Sequence, residues 1–142
     1  MSSPIWHTPQ TLTQINEFGQ GTLSALLGIE IIELGPDYIR GTMPADERTF
    51  QPMGRIHGGA NIVLAETLGS IGAHLLIDST KYYAVGLEVN ANHVRGVSSG
   101  IVTGTARPSY QGRTTQVWDI QIEDDRGKIS CISRLTVAVV KI

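Results

Sequence analysis

From Tyr83 to Asn90 the chain alternates strictly, with Tyr83, Val85, Leu87 and Val89 on one side and Ala84, Gly86, Glu88 and Asn90 on the other. That period of two is how side chains leave a β-strand. It returns where Trp118, Ile120 and Ile122 interleave with Val117, Asp119 and Gln121. Between these runs lies "GIVTGTARP", and after the turn formers Asp124 to Gly127 comes the long run "KISCISRLTVAVV". Upstream the period changes: Gly58 to Ile77 is apolar around most of its circumference and predicts one long helix, about 30 Å at 1.5 Å per residue. Before it, "GIEIIEL" and "YIRGTM" are strand-forming runs joined by Gly35, Pro36 and Asp37, which predicts a hairpin. Pro44 to Ile56 then reads as an irregular connection. Two short helices are expected near the N-terminus, Leu12 to Phe18 capped by Thr11 or Thr13, and Leu23 to Leu27 capped by Thr22 and stopped by Gly28.

Hairpin, long helix and four strands in that order predict an α+β fold, an antiparallel sheet packed on one central helix. Ala60, Ala65, Gly69, Gly72 and Ala73 would let strands come close to the helix. A helix apolar nearly all round needs cover on every side, and a single curved sheet leaves an edge unpaired. Edge pairing between copies meets both needs, so a homo-oligomer is expected. The 142 residues suit one domain, residues 1–142, with residues 1–27 as a helical cover.

Composition narrows the function. A net charge of -2 gives no global field for nucleic acid or an anionic membrane, so any anionic ligand must meet local arginines. The run Ala60 to Ile77 is broken by Asn61, Glu66, Thr67, Ser70 and His74, which argues against a membrane span. The single cysteine, Cys131, cannot form an intrachain disulfide, and Met1 to Gln10 lacks the features of a signal peptide; a cytoplasmic location is expected. His7, His57, His74 and His93 show no metal-ligand spacing, so no metal is expected.

Glu66 is the anomaly, a carboxylate in the middle of an apolar helix. It either pairs with Arg40, Arg134 or a partner's arginine, or it does chemistry. Ser70, one turn on, shares its face. The helix begins at Gly58-Gly59, where unpaired N–H groups and the macrodipole favour a carbonyl oxygen gaining negative charge. His57 precedes the glycines and could orient the loop, bind substrate, or serve only as an N-terminal capping and packing residue; Gln51, six residues earlier, could donate its amide to the same carbonyl. Donors for an oxyanion plus a carboxylate are the components of acyl transfer. No Gly-x-Ser-x-Gly elbow is present, and Cys131 has no histidine near it in sequence. Two loops, "NANHVRG" with His93 and Arg95 and "YQGRTT" with Tyr110 and Arg113, carry arginines and free amides suited to phosphate.

These residues together, "HGG" with a glutamate nine positions after its histidine and a glutamine six before it, then "LEVNANHVR" and "QGRTTQVW", resemble the hot-dog fold acyl-CoA thioesterases of the aryl-CoA type. That group includes the 1,4-dihydroxy-2-naphthoyl-CoA thioesterases of quinone biosynthesis and the enterobactin proofreading thioesterases. The resemblance runs from about Leu27 to Val139. It implies a curved antiparallel sheet wrapped around the helix, and hydrolysis of an aromatic acyl-CoA. It makes Glu66 nucleophile or general base and the Gly58 N–H the group that polarises the thioester carbonyl. Gln51 and His57 would position that end of the substrate, and Ser70 would hold the water. Gly86, Asn92, His93, Val94 and Arg95, with Tyr110, Gln111, Gly112, Arg113, Thr114 and Thr115, fall where the family binds the CoA arm. CoA belongs to the substrate, so no cofactor is implied; the implied assembly is a homotetramer of two dimers, with sites at the dimer interface. Gly96 departs from the proline common after this arginine. Medium-chain or phenylacetyl substrates would use the same residues, and a non-catalytic acyl-CoA-binding module is disfavoured by the presence of Glu66 together with Gln51.

Overall fold

The computed structural model describes residues 3–142. Its N-terminal segment leads into α1 (Leu12–Phe18), where Thr11 and Gln14 close a capping box, each side chain accepting the other's backbone N–H. α2 (Leu23–Leu26) is one residue shorter than expected, with Leu27 as its cap. Thr22 precedes it but makes no side-chain cap, because its hydroxyl donates back to the Gly19 carbonyl at 2.6 Å. The hairpin of β1 (Glu30–Leu34) and β2 (Ile39–Pro44) forms around the expected turn, closed by Gly35 N–H to the Tyr38 carbonyl.

α3 (Gly58–Leu76) follows, then β3 (Tyr82–His93), β4 (Ile101–Gln111), β5 (Thr115–Glu123) and β6 (Ile129–Lys141). The six strands form one sheet in the order β1-β2-β4-β5-β6-β3, all neighbours antiparallel. β1 and β3 are its edges, and α3 lies across its inner face. Ile39, Met43, Val102, Trp118, Ile120, Ile122 and Leu135 are fully buried between sheet and helix.

Close approach depends on glycines, as the small residues of the helix led us to expect. Gly69 and Gly72 leave room for Leu135 and the Trp118 ring, either of which would lie 2.6 Å from an added Cβ. The sheet answers in kind: Gly41 and Gly104 pair across β2 and β4, and Leu68 of the helix fills the hole they leave. Trp6, which no periodicity marked as core, stacks on Trp118 with centroids 6.2 Å apart and donates its indole N–H to the Gly35 carbonyl at 2.7 Å. His7 and Thr8 N–H groups both take the Leu75 carbonyl, so this segment satisfies the C-terminal end of α3.

β3 departs from its expected alternation. A bulge between Gly86 and Glu88 changes which parity faces the helix: Ala84 packs inward before it, Val89 and Ala91 after it, while Tyr83, Val85 and Leu87 are exposed. One stripe of α3 is also only half covered, through Ile62, Val63, Glu66, Thr67, Ser70 and Ile71. Within one copy the helix is therefore enclosed by the sheet on one side and by α1 and α2 only in part on the other.

Candidate active site

One cluster is built where α3 begins. His57 is its N-cap, and the His57 Nδ1 accepts the Gly59 N–H at 2.8 Å. An imidazole nitrogen that accepts carries no proton, so the His57 proton sits on Nε2, which is left free to donate outward. Of the roles open to His57, capping is thus seen directly and the second nitrogen remains for a ligand. The Gly58 N–H has no acceptor among the described residues. Beside it opens a cavity of about 250 Å3 lined by Gln51, Arg55, Gly58, Asn61, His93 and Arg95. Gln51 is held in the preceding loop, its N–H on the Arg55 carbonyl at 2.8 Å and its side-chain oxygen accepting from the Met53 N–H. That leaves the Gln51 amide NH2 to donate.

His93 ends β3 against this cluster. A Cβ at Gly58 would lie 2.7 Å from His93 Nε2, so only glycine leaves space for the ring. Arg95 stands just beyond, tethered by Asp124 at 3.7 Å. The Asp124 carboxyl is held below the usual aspartate range, mainly by the Lys128 backbone N–H, with burial opposing and the Arg126 backbone N–H assisting. The exposed Arg55 side chain lies over Gly96, its Cδ 2.8 Å from where a Cβ would be.

A second cluster lies further along the helix. Glu66 makes no ion pair and no hydrogen bond among the described residues. The arginines that could have neutralised it are engaged elsewhere, Arg40 with Glu33 at 2.6 Å and Arg134 with Asp119 at 3.1 Å. Its carboxylate instead faces Gly86, where a Cβ would come within 2.5 Å of Oε2. Ser70 follows one turn on, on the same half-covered stripe. Gly86 pairs with Val137, which pairs in turn with Gln116, so the Tyr110 to Thr115 hairpin lies at this end of the sheet. That hairpin is closed by Gly112 N–H to the Thr115 carbonyl, with the Tyr110 ring folded over Gly112. On the same open side of α3, a cavity of about 380 Å3 runs between α1, α2 and the helix, lined by Ile15, Ser24, Ile29, Thr67 and Ile71.

The residues expected to work together are thus split within one chain. Glu66 lies eight residues beyond Gly58, about 12 Å along the helix axis. The two arginine loops, expected to meet the same ligand arm, sit at opposite ends of β3 and β6: His93 pairs with Cys131, whereas Thr115 pairs with Ala138. Gly86, expected beside the CoA arm, packs on Glu66, and His93 packs on Gly58. Asn61, Arg55 and Asp124 were not singled out from sequence. For Asn61 the signal was present, a polar residue one turn after His57 in an otherwise apolar helix. Burial pushes the Cys131 thiol up to about 11, away from the thiolate that a cysteine nucleophile needs.

Residues 53–131 match the Thioesterase superfamily. The chain is 44% identical to the 1,4-dihydroxy-2-naphthoyl-CoA hydrolase of Escherichia coli over 95% of its own length and 98% of that protein's. It is 46% identical to a proofreading thioesterase of Cronobacter turicensis, with the same coverage. A thioesterase from Pseudomonas aeruginosa, solved as a glutamine-to-alanine variant, superposes with a TM-score of 0.96 at 48% identity, covering 97% of this chain and 99% of that one. A Staphylococcus aureus protein, solved as glutamate-to-alanine and glutamine-to-alanine variants, is 38% identical, with TM-scores of 0.81 and 0.80 over 84% and 83% of this chain and 99% and 98% of those. With a hot-dog sheet around its central helix and a match over more than half its length, the chain belongs to the thioesterase superfamily and is a thioester hydrolase.

Proposed function

We propose that the protein hydrolyses an aromatic acyl-CoA, of the 1,4-dihydroxy-2-naphthoyl type, to the free acid and CoA in the cytoplasm, and that Glu66 is its nucleophile or general base. The observation that carries this is Glu66 itself: a half-buried carboxylate with no counter-charge among the described residues, on the open stripe of the helix, with space kept for it by Gly86. Among the described residues no ion pair or hydrogen bond gives this carboxylate a structural task. Support comes also from the relatives: the two Staphylococcus aureus variants replace a glutamine and a glutamate fifteen positions apart, the separation between Gln51 and Glu66.

In the reaction the Gly58 N–H and the Gln51 amide polarise the thioester carbonyl, with His57 Nε2–H beside them. Attack on the carbonyl carbon, by water that Ser70 holds and Glu66 deprotonates or by Glu66 itself, moves the carbonyl electron pair onto oxygen. Collapse expels CoA thiolate. In the second case water then cleaves the acyl anhydride and regenerates the carboxylate. A thiolate leaves easily, so a carboxylate with a few fixed donors suffices, each donor contributing about 100- to 1000-fold in rate.

The split clusters meet if two copies pair along β3, whose outer edge has no partner strand among the described residues and whose Tyr83, Val85 and Leu87 are exposed. An antiparallel pairing about a two-fold axis sets the Gly86 end of one β3 beside the His93 end of the other. Glu66, Ser70 and the Arg113 hairpin of one copy then face Gln51, Gly58 and Arg95 of its partner. Asn92, Val94 and Arg95 from one side and Tyr110 to Thr115 from the other take the CoA arm, which needs no further cofactor. Two such dimers form the homotetramer. The acyl group enters the cavity over Thr67 and Ile71, whose volume is at the small end of ordinary ligand pockets.

A panel of aryl- and alkyl-CoA thioesters with detection of released thiol tests this, beside Glu66→Gln. Turnover that favours aryl substrates and vanishes in the variant is expected. Preference for medium-chain or phenylacetyl substrates overturns the acyl assignment, and binding without turnover makes the protein an acyl-CoA-binding module.

A further inference from the structure

Asn61 is buried, 5% exposed, and its side chain is unevenly satisfied. The amide NH2 lies 3.3 Å from His93 Nδ1, while Oδ1 has no partner among the described residues. An amide NH2 only donates, so Nδ1 accepts and carries no proton. Turning the amide over would let Oδ1 accept from a protonated Nδ1, but it would leave both N–H groups of a buried amide unpaired instead of one N–H and the oxygen, and unpaired buried donors are the rarer and costlier fault. His93 thus has its proton on Nε2, the nitrogen that sits over Gly58.

We propose that Asn61 is a positioning residue that holds His93 in this neutral form, and that the His93 Nε2–H is a further donor, with the Gly58 N–H, to the thioester oxygen as it becomes an oxyanion. This deepens the thioesterase reading above and rests on it, and it takes His93 out of the group that binds the CoA arm. The proton stays on Nε2 throughout: the carbonyl electron pair moves onto oxygen at attack and returns when the C–S bond breaks, and His93 only strengthens and then relaxes its hydrogen bond. With His57 Nε2–H, Gly58 N–H and Gln51 NH2, the helix start then presents donors alone, which suits a charge that appears only in the transition state.

The test has two readouts on the full-length protein. Two-bond 1H–15N spectra of the histidine rings at neutral pH, with His93 assigned by His93→Gln, report which nitrogen is protonated without any substrate. In wild type Nδ1 should resonate as an acceptor and Nε2 as N–H. In Asn61→Asp, a near-isostere whose carboxylate can only accept, the proton should move to Nδ1. The same variant should lose kcat by on the order of 100-fold with KM little changed, as should His93→Phe, while His93→Gln, which keeps an N–H, should retain more. Wild-type His93 protonated on Nδ1 overturns the positioning role, as does an Asn61→Asp protein with the wild-type pattern. An Asn61→Asp protein with the reversed pattern and unchanged kcat overturns the donor role. Wild type that cleaves no thioester overturns the hydrolase reading and the donor role with it, whereas the positioning role stands or falls on the spectra alone.

Discussion

Gly86 and Glu66 face each other across the gap between β3 and α3, and the carboxylate fills the volume that any side chain at position 86 would need, with Oε2 2.5 Å from an added Cβ. The backbone of Gly86 is not in the left-handed region, so alanine there meets no backbone strain, only the carboxylate. Gly86→Ala should therefore fold normally yet displace Glu66. If Glu66 attacks or activates water as proposed, a shift of about 1 Å in its carboxylate costs on the order of 100-fold in rate. Steady-state kinetics beside a thermal melt checks this; an unchanged kcat would mean that the position of Glu66 does not matter.

The glycine pair around Leu68 makes a separate expectation about stability. Leu68→Ala removes a side chain that is fully buried and should cost about 2–5 kcal/mol. Gly104→Ala should cost about 1–3 kcal/mol by overpacking, since its Cβ would lie 2.7 Å from Leu68 Cδ1. Because the added methyl and the removed side chain occupy the same space, the double variant should be more stable than the sum of the two losses implies. Urea unfolding of the three proteins measures this coupling directly.

Asp124 gives a pH dependence. Its folded carboxyl is held below the unfolded value by the Lys128 and Arg126 backbone N–H groups, so it contributes stability above about pH 4, near the unfolded aspartate value. That contribution is lost as pH falls through the lower folded value. Asp124→Asn should be less stable than wild type at neutral pH and should lose less on acidification over that acid range. Its Arg95 loop, deprived of its tether, should also show a higher KM for CoA thioesters with little change in kcat.

The cavity over Thr67 and Ile71 sets the expectation for specificity. Ile71→Phe should fill part of it and lower kcat/KM for bicyclic aryl-CoA by roughly 10- to 200-fold, the range one hydrophobic pocket contact commands. Short alkyl thioesters should lose less. Equal losses for both classes would place the acyl group elsewhere.

Much of this was legible in the residue order. The helix from Gly58, the hairpin around Pro36 and the four following strands come from periodicity and turn chemistry, and Glu66 declares itself as a charge that an apolar helix has no reason to carry. What could not be read is what depends on three dimensions. The bulge at Leu87 changes which parity of β3 faces the helix, and one inserted residue has no marker in an alternating run. Trp6 looks like part of a polar tail until Trp118 is opposite it. Asn61 is an ordinary helix residue until His93 arrives from the end of β3, 32 residues later. The separation of Glu66 from Gly58 follows from helix geometry alone, and it takes on meaning only beside the edge of β3, along which the proposed pairing of two copies would bring the missing half.

The proposed division of the site between two copies is tested most directly by complementation. Glu66→Gln and Gln51→Ala proteins are each assayed alone, then unfolded, mixed in equal amounts and refolded together. In a mixed dimer one site receives both substitutions and the other receives neither, so the mixture should regain roughly a quarter of wild-type activity from two nearly inactive parents. A mixture no more active than the sum of its parents would contradict a site shared between subunits and place Glu66 and Gln51 in one chain's own centre.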